Sequence, residues 1–356
     1  MSNNYVNGIL AIGLTIGFMT GCATGDPTAH TDSIRSNARL SIDKGDYKKA
    51  DEMLQDALAK DIKKFGAESE AVARDYLLIG DNLKEQNKLE EAEEFYQKSI
   101  EARRKELRPG LLKLAESLTA QGDNLVDQGQ LEDAEVLLLQ GRDIRRENLP
   151  GDSVDLARSK LSLGKLYLQA GAFSEAETEL KNAMATFEKK LGKDDKRLGD
   201  ARTNLGSLYF AQGKLDQAEP LLKWALEIYK THDPASVDTA NAENNLGEYY
   251  RARNRYADAE TSYKGAIAIY EKRNQPSPKF ASALNNLAVL YHSQKKYSEA
   301  EPLYKRAIKT YEDSVGKDGL EIANTLNNYA AMESALGNKT EAQRLKQRAN
   351  KIIASN

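Results

Sequence analysis

The sequence predicts an all-α chain coiled into a solenoid of eight helix-turn-helix units. Three observations carry that prediction: a fixed repeat interval, small residues recurring at two fixed offsets, and large residues falling between them. An alanine recurs in matching context at Ala50, Ala92, Ala134, Ala176, Ala218, Ala259, Ala300 and Ala342, at steps of 42, 42, 42, 42, 41, 41 and 42 residues. A constant period of this length is the mark of a chain in which each unit stacks on its neighbours. The interval overrides the two or three domains that 356 residues would otherwise suggest.

Within each unit the offsets from this alanine assign sizes to places. Twelve residues before it stand Ala38, Gly80, Gly122, Gly164, Gly206, Gly247, Ala288 and Ala330. Glycine inside a helix costs up to about 1 kcal/mol relative to alanine, so its return at one place implies a close approach of two helices. Seven residues after the alanine stand Ala57, Ser99, Gly141, Ala183, Ala225, Ala266, Ala307 and Ala349, again all small. Large residues occupy the offsets nine before, three before and four after, for example Tyr209, Leu215 and Leu222, or Tyr250, Tyr256 and Tyr263. Spacings of three, four and seven put them on one helix face, where they fill the hollows left by small residues opposite.

The turns follow the same register. Gly45, Asn87, Gly129, Gly171, Gly213, Asn254 and Gly337 fall between the two helices of a unit and tolerate the left-handed backbone that ends a helix; Lys295 is the exception. Polar, breaker-containing loops separate the units: LPGDS (149–153), GKDDK (192–196), THDPAS (231–236), NQPSPK (274–279) and VGKDG (315–319). The solenoid is expected over 32–354. Glu333, Lys339 and Lys346 take places that are aromatic or leucine in the central units, and are expected to give the last unit a polar outer face. Its closing segment, EAQRLKQRANKIIASN, reads as a capping helix.

The stretch from Leu284 to Ala307, LNNLAVLYHSQKKYSEAEPLYKRA, is one whole unit. With its NNLA and EAEPLYKRA phrases it resembles the tetratricopeptide repeat in the 42-residue form of kinesin light chains and their bacterial relatives. Residues 204–226 and 244–267 match well, while the first three units keep the sizes and lose the asparagines. The resemblance implies a right-handed superhelix that binds protein partners or extended peptides on its concave face. It says little more about function, because this scaffold serves many roles.

The N-terminus points to an address. Ile9 to Met19 is an apolar run, too short for the roughly 20 residues of a membrane span and suited to a secretory signal. The only cysteine, Cys22, cannot form an internal disulfide and could be a buried thiol, a nucleophile or a lipid attachment site. The sequence Met19-Thr20-Gly21-Cys22 resembles a bacterial lipobox, with Met19 where leucine is usual and no Lys or Arg ahead of the run. That resemblance implies a signal peptide over 1–21, acylation at Cys22, and a tether over 22–31. It implies a lipid anchor that holds the protein on a membrane it does not cross, the outer membrane of a Gram-negative envelope being favoured by Ala23. An uncleaved anchor from Val6 to Ala23 and a mis-assigned start are the alternatives.

Composition excludes several classes. Hydrophobic residues make up 40 % and charged residues 29 %, the balance of a long surface of exposed helix. Lys and Arg total 51 against 54 Asp and Glu, interspersed, which is no nucleic-acid footprint. His30, His232 and His292 are scattered without metal-ligand spacing, and neither a phosphate loop nor a nucleophile elbow is present, so no catalytic, cofactor-binding or metal-binding residues and no small-molecule substrate are expected. Acidic pairs such as Glu90-Glu91 and Asp194-Asp195 read as solvated surface.

The candidate binding residues are asparagines of the first helices: Asn204, then Asn244-Asn245, Asn285-Asn286 and Asn327-Asn328. An amide offers donors and an acceptor, which suits the backbone of an extended peptide; the same groups could instead bond between neighbouring helices and fix the stacking. In the kinesin light chain family equivalent asparagines line the groove, which assigns Asn204, Asn245, Asn286 and Asn328 to peptide contact here. Glu248, Arg251, His292 and Ser334 are spaced to follow them, with no patch of one sign. The tyrosines and Trp224 are expected to pack rather than recognise. The functional expectation is a membrane-tethered interaction scaffold in envelope assembly or localisation. A pilotin-like lipoprotein that self-associates or contacts a secretin-type ring, or a cytosolic adaptor, stands as the alternative.

Overall fold

A computed structural model describes residues 29–105 and 110–355. The apolar run, Cys22 and the segment over 22–28 lie outside the described residues. Among those described, sixteen α-helices follow one another in eight pairs. The first four pairs are α1 (Ala29–Asp43) with α2 (Tyr47–Phe65), α3 (Glu70–Glu85) with α4 (Leu89–Lys105), α5 (Leu111–Asp127) with α6 (Leu131–Asn148), and α7 (Val154–Gln169) with α8 (Phe173–Leu191). The last four are α9 (Lys196–Ala211) with α10 (Leu215–His232), α11 (Val237–Ala252) with α12 (Tyr256–Arg273), α13 (Pro278–Ser293) with α14 (Tyr297–Val315), and α15 (Leu320–Ala335) with α16 (Lys339–Ser355).

Each helix packs on the next, and the first helices of successive units also touch one another, from α1 on α3 through α13 on α15. Those first helices therefore form one continuous wall, with the second helices behind it. Helix starts are set locally: Ser69, Ser153, Ser236 and Ser277 each accept a hydrogen bond from the backbone N–H three residues on, as N-cap residues do. Helix ends are set by the unit's turn. All eight turn positions have φ between 59° and 84°, and Lys295 takes the same left-handed backbone, at 60°, as its glycine and asparagine equivalents.

The pattern of sizes is the packing pattern. Ala50, Ala92, Ala134, Ala176, Ala218, Ala259 and Ala300 are fully buried, and so is the small residue seven places after each. The small residue of a first helix faces the large residue of its partner: a Cβ on Gly247 would lie 2.5 Å from the Tyr263 ring, and one on Gly80 would lie 2.5 Å from Tyr96. An alanine at Gly80 or Gly247 would have to move that ring.

Two expectations need correction. Glu333 is not part of a polar outer face: it is 4 % exposed, and the Asn338 amide donates to it at 2.7 Å. An acidic side chain at the last turn of α15 can be buried because the following loop supplies that donor; Lys339 and Lys346 do face solvent. Trp224 is not a core residue either. It is 53 % exposed on α10, and the Arg202 guanidinium lies 5.2 Å from its ring.

Candidate functional site

The wall of first helices bends round until the first unit meets the sixth. The Arg273 guanidinium donates to the carbonyl of Asp43 at 3.4 Å, and the Gln275 amide donates to the carbonyl of Gly45 at 2.6 Å. These contacts join residues 230 apart in sequence and turn the concave face into an internal passage.

A cavity of about 910 Å³ lies along it, lined among others by Arg39, Lys84, Glu116, Asp123, Arg145 and Arg158 of the first four units and by Lys196, Tyr229, Asp238 and Arg273 of the fifth and sixth. A second cavity of about 460 Å³ shares Lys84, Asp123, Tyr229 and Asp238 with it and continues past Asp200, Asn204, Asn241, Asn245 and Lys279. The second is lined mainly by residues eighteen, fourteen or fifteen, and eleven places before the recurring alanine, the offsets that the helical period puts on one face; the larger one adds residues of helix ends and of second helices, such as Tyr96, Arg145 and Tyr229.

Charges of both signs alternate on these walls, and many are paired. Asp127, at the end of α5, bridges Lys84 at 3.1 Å and Lys165 at 2.6 Å; Lys196 pairs with Asp238 at 2.6 Å. Burial works against the Lys84 ammonium, but Asp127 and then Asp123 outweigh it and hold the group charged. Burial also pushes the Asp81 carboxyl up to about 6, against the Tyr96 hydroxyl that donates to it at 3.1 Å. Asp200 is raised to about 6 for the same reason, against the hydroxyl of Tyr229 at 2.7 Å. The passage can therefore offer carboxylates, cations and hydroxyls within one narrow space.

Asn204 and Asn245 line the second cavity. The amide of Asn204 donates to the Asp200 carbonyl one turn back, at 2.9 Å, leaving its oxygen for other partners. Asn286, Asn328, Arg251 and His292 lie further along the wall, outside both cavities. The Asn286 amide donates to Asn244 at 3.1 Å and to Glu248 at 2.8 Å, and the Asn328 amide donates to Asn285 at 3.2 Å. These asparagines thus link one unit to the next: both amide hydrogens of Asn286 are committed, and its carbonyl oxygen is what it retains for a ligand. Burial pulls the His292 imidazole below its usual value, and its Nδ1 lies 3.3 Å from the Tyr304 hydroxyl; Arg251 is exposed.

Sequence reasoning missed the buried charges at the amino-terminal end of the passage. Arg103 and Arg145 sit eleven places after the recurring alanine, where later units carry Phe187, Tyr229, Tyr270 and Tyr311. The signal was there in the aligned repeats: charges in the first three units on a row that is aromatic from the fourth to the seventh. Among the described residues no group of three or more His, Cys, Asp or Glu side chains could hold a metal ion, and no helix is long and apolar enough to cross a membrane.

The sequence pattern described as "Tetratricopeptide repeat" matches residues 31–105, 155–231, 198–272 and 279–352. Among curated protein sequences none matches this chain. Solved structures are similar at low identity. A Rap protein in complex with competence and sporulation factor is 15 % identical, covering 92 % of this chain and 98 % of its own, with a TM-score of 0.61. BtubC (BKLC) from P. vanneervenii is 22 % identical over 64 % of this chain and 92 % of its own, at a TM-score of 0.53. A signal-transduction ATPase with a tetratricopeptide repeat sensor, from Pyrococcus horikoshii, is 16 % identical over 91 % of this chain and 47 % of its own, at 0.55. At these identities the likeness is one of fold. The repeat pattern covers most of the chain and coincides with the helix pairs, so this protein belongs to the tetratricopeptide repeat family.

Proposed function

We propose that this protein is an interaction scaffold that takes an extended segment of a partner protein into its internal passage. The observation that carries the reading is the passage itself: a half-open cavity of about 910 Å³, bridged by two hydrogen bonds between the first and sixth units and lined with hydrogen-bonding groups of both signs. That volume lies in the range of roughly 300 to 1,000 Å³ typical of sites for small ligands, which suits a few residues of extended chain and not a folded domain. A peptide backbone needs donors and acceptors along its length, and Asn204 and Asn245 face the space where it would run. Asn286, Asn328, Arg251 and His292 would extend the contact along the open wall beyond.

A second part of the proposal concerns place. The run from Ile9 to Met19 followed by Thr20-Gly21-Cys22 supports a lipid anchor at Cys22, which would hold the passage at the surface of a membrane in the cell envelope and serve assembly or localisation there.

Photo-crosslinking tests the first part. With benzoylphenylalanine in place of Asn245, the partner is expected to be captured through the passage; with the same group in place of Trp224 on the outer helices it is not. Equal capture from both positions would sink the passage as the binding site. For the anchor, the intact mass of the protein made in a bacterial host is decisive: a product beginning at an acylated Cys22 supports it, and a retained Met1 excludes it.

A further inference from the structure

We infer that this protein pairs with a second copy of itself across its outer face, each copy setting Trp224 into a hollow at Gly265 of the other. The contact lies on the second helices, away from the passage, so it stands or falls independently of what the passage binds.

Six places after the recurring alanine, each second helix turns a residue outward. In six units that residue is polar or charged: Asp56, Lys98, Gln140, Asn182, Arg306 and Arg348. The fifth and sixth units break the row with Trp224 and Gly265, a bulky side chain next to a missing one. Glycine weakens a helix interior more than any residue but proline, so its presence calls for a reason. Packing within the chain supplies that reason for seven other glycines inside the described helices, where an added Cβ would come within 3.0 Å of a neighbour. At Gly265 a Cβ would meet nothing nearer than Glu243, at 3.5 Å, which is an ordinary contact. The fold of one chain therefore does not require this glycine, and the space it leaves opens outward.

Ring and hollow suit each other chemically. Trp224 is 53 % exposed, and its indole N–H donates to no described residue. Gly265 lies over the carboxylate of Glu243 on α11, which Lys230 of α10 holds at 2.7 Å. A ring seated on the glycine would bury its apolar surface and find in that carboxylate an acceptor for its N–H, as a buried tryptophan needs. Thr261 and Ala268, the exposed neighbours of Gly265 on the same face of α12, are short and leave room. Two observations make the occupant a second copy. Trp224 and Gly265 stand at the same height on neighbouring second helices, so a two-fold axis midway between them brings each ring over the other copy's glycine, and the contact closes at two. The surface is also neutral: residues 193–276 carry thirteen Lys and Arg against thirteen Asp and Glu, and Lys223 and Lys264, beside the two positions, pair with Glu219 at 2.8 Å and Glu260 at 2.6 Å. Residues 67–150, with twelve against nineteen, would repel their own copy; this stretch does not.

Photo-crosslinking and sedimentation of the full chain in non-ionic detergent test this. With benzoylphenylalanine in place of Trp224, irradiation is expected to give a product of twice the chain mass, linked within 261–268 of α12; no such product, or a link elsewhere, overturns the inference. Sedimentation equilibrium at about 1 to 100 µM is expected to show a monomer passing to a dimer, and a chain that stays monomeric throughout also overturns it. Trp224→Ala and Gly265→Leu should each weaken the dimer about tenfold or more, with the circular dichroism of the parent, because both positions face outward. Mixing the two variants separates a two-fold contact from any other. In the mixture one intact ring meets one intact glycine while leucine meets alanine, so it should associate several-fold more tightly than either variant alone. Variants that associate like the parent, or a mixture no tighter than its components, would remove the two-fold pairing and leave the passage untouched.

Discussion

The joint between the second and third units and the joint between the fourth and fifth put different chemistry on the same four places. Glu70, Ser99, Arg103 and Ser117 form the first; exactly two units on in register, Val154, Ala183, Phe187 and Ala201 form the second. In the first, Arg103 is buried and reaches Glu70 and the hydroxyls of Ser99 and Ser117. In the second, a fully buried phenyl ring fills the same hollow. The backbone lattice is indifferent to which is used, but the cores are not. The largest apolar cluster runs from Ala176 to Ile352 and the apolar joint forms a cluster of its own around Phe187, from Ala157 to Ile228, whereas the apolar residues of the first units fall into two small groups, Ala38 to Tyr96 and Leu125 to Leu166, with polar layers between them. Hydrogen bonds specify one neighbour and one distance; apolar burial supplies more stability with less direction. The half with the polar layers is also the half that walls most of the larger cavity.

The sharpest way to break the comparison is to remove one member of the polar joint. Arg103→Met should cost about 3 kcal/mol, because a buried carboxylate and two hydroxyls lose their partner, and amide exchange should rise in α3 to α5 before it rises elsewhere. Transplanting the whole apolar set, Glu70→Val with Ser99→Ala, Arg103→Phe and Ser117→Ala, should restore that loss and leave the chain as stable as the parent or more so, by up to about 3 kcal/mol. If the transplant melts like Arg103→Met alone, the two joints are not interchangeable and the polar one is needed for the local shape. Urea melts of the parent and both variants decide this.

Next in size comes a test in which the halves should behave alike. A Cβ added at Gly80 or at Gly247 would lie 2.5 Å from a tyrosine ring, one in each half. Alanine at either place gains up to about 1 kcal/mol of helix propensity and loses roughly 1 to 3 kcal/mol by overpacking, so a net loss is expected at both. A much smaller loss at Gly80 in thermal melts would show that polar layers let the amino-terminal units shift to make room.

How much of this was open to sequence reading follows from what each feature depends on. The helix pairs, their facing sizes and the left-handed turns depend on residues within one unit or its neighbour, and the repeat interval displays them eight times over. Closure of the passage depends on a small rotation summed over six units, and nothing in the residues near Arg273 or Gly45 announces that they meet. Arg145 looks like surface charge until it is aligned with Phe187, and Trp224 looks like core until the outer face is seen to leave it uncovered. The asparagines were legible as a ladder, but an isolated sequence does not tell which side of the ladder their hydrogens take.

Acid acts on buried and exposed carboxylates with opposite sign. Burial raises Asp75 and Asp81 in the early units, and Asp200 in the fifth, to about 6, so their ionised forms weaken the fold at neutral pH. That weakening is absent below the unfolded value near 4 and complete above about 6, so stability should rise as pH falls from 7 towards 5. In the later units hydrogen bonds from Lys264 and Lys305 lower Glu260 and Glu301, whose contribution is present at neutral pH and lost only as pH falls through their lowered values. Those pairs are exposed and contribute little. Asp81→Asn keeps the Tyr96 hydroxyl supplied with an acceptor, should stabilise the chain by about 1 to 2 kcal/mol at pH 7, and should flatten its response to acid. A gain that persists unchanged at pH 4 would mean that charge is not the cause.

The smallest effect probes the lattice that both halves share. Seven of the eight turns place glycine or asparagine at positive φ, and only the seventh unit places lysine there, at 60°. A side chain with a Cβ crowds the carbonyl in this conformation, at a cost of about 1 to 2 kcal/mol, and asparagine escapes part of it through its short polar side chain. The Lys296 N–H still donates to the Tyr291 carbonyl at 2.9 Å, the bond that closes every other turn at the same place, so surrounding packing imposes the conformation on an unfavourable residue. Lys295→Gly should relieve the crowding and give back part of the gain to the freer unfolded chain, for a net stabilisation of about 0.5 kcal/mol. Gly213→Lys, at the equivalent turn two units earlier, should lose a similar amount. If both changes are neutral in urea melts, the turn is softer than its fixed dihedral suggests, and the register of the solenoid is held by the facing small and large residues alone.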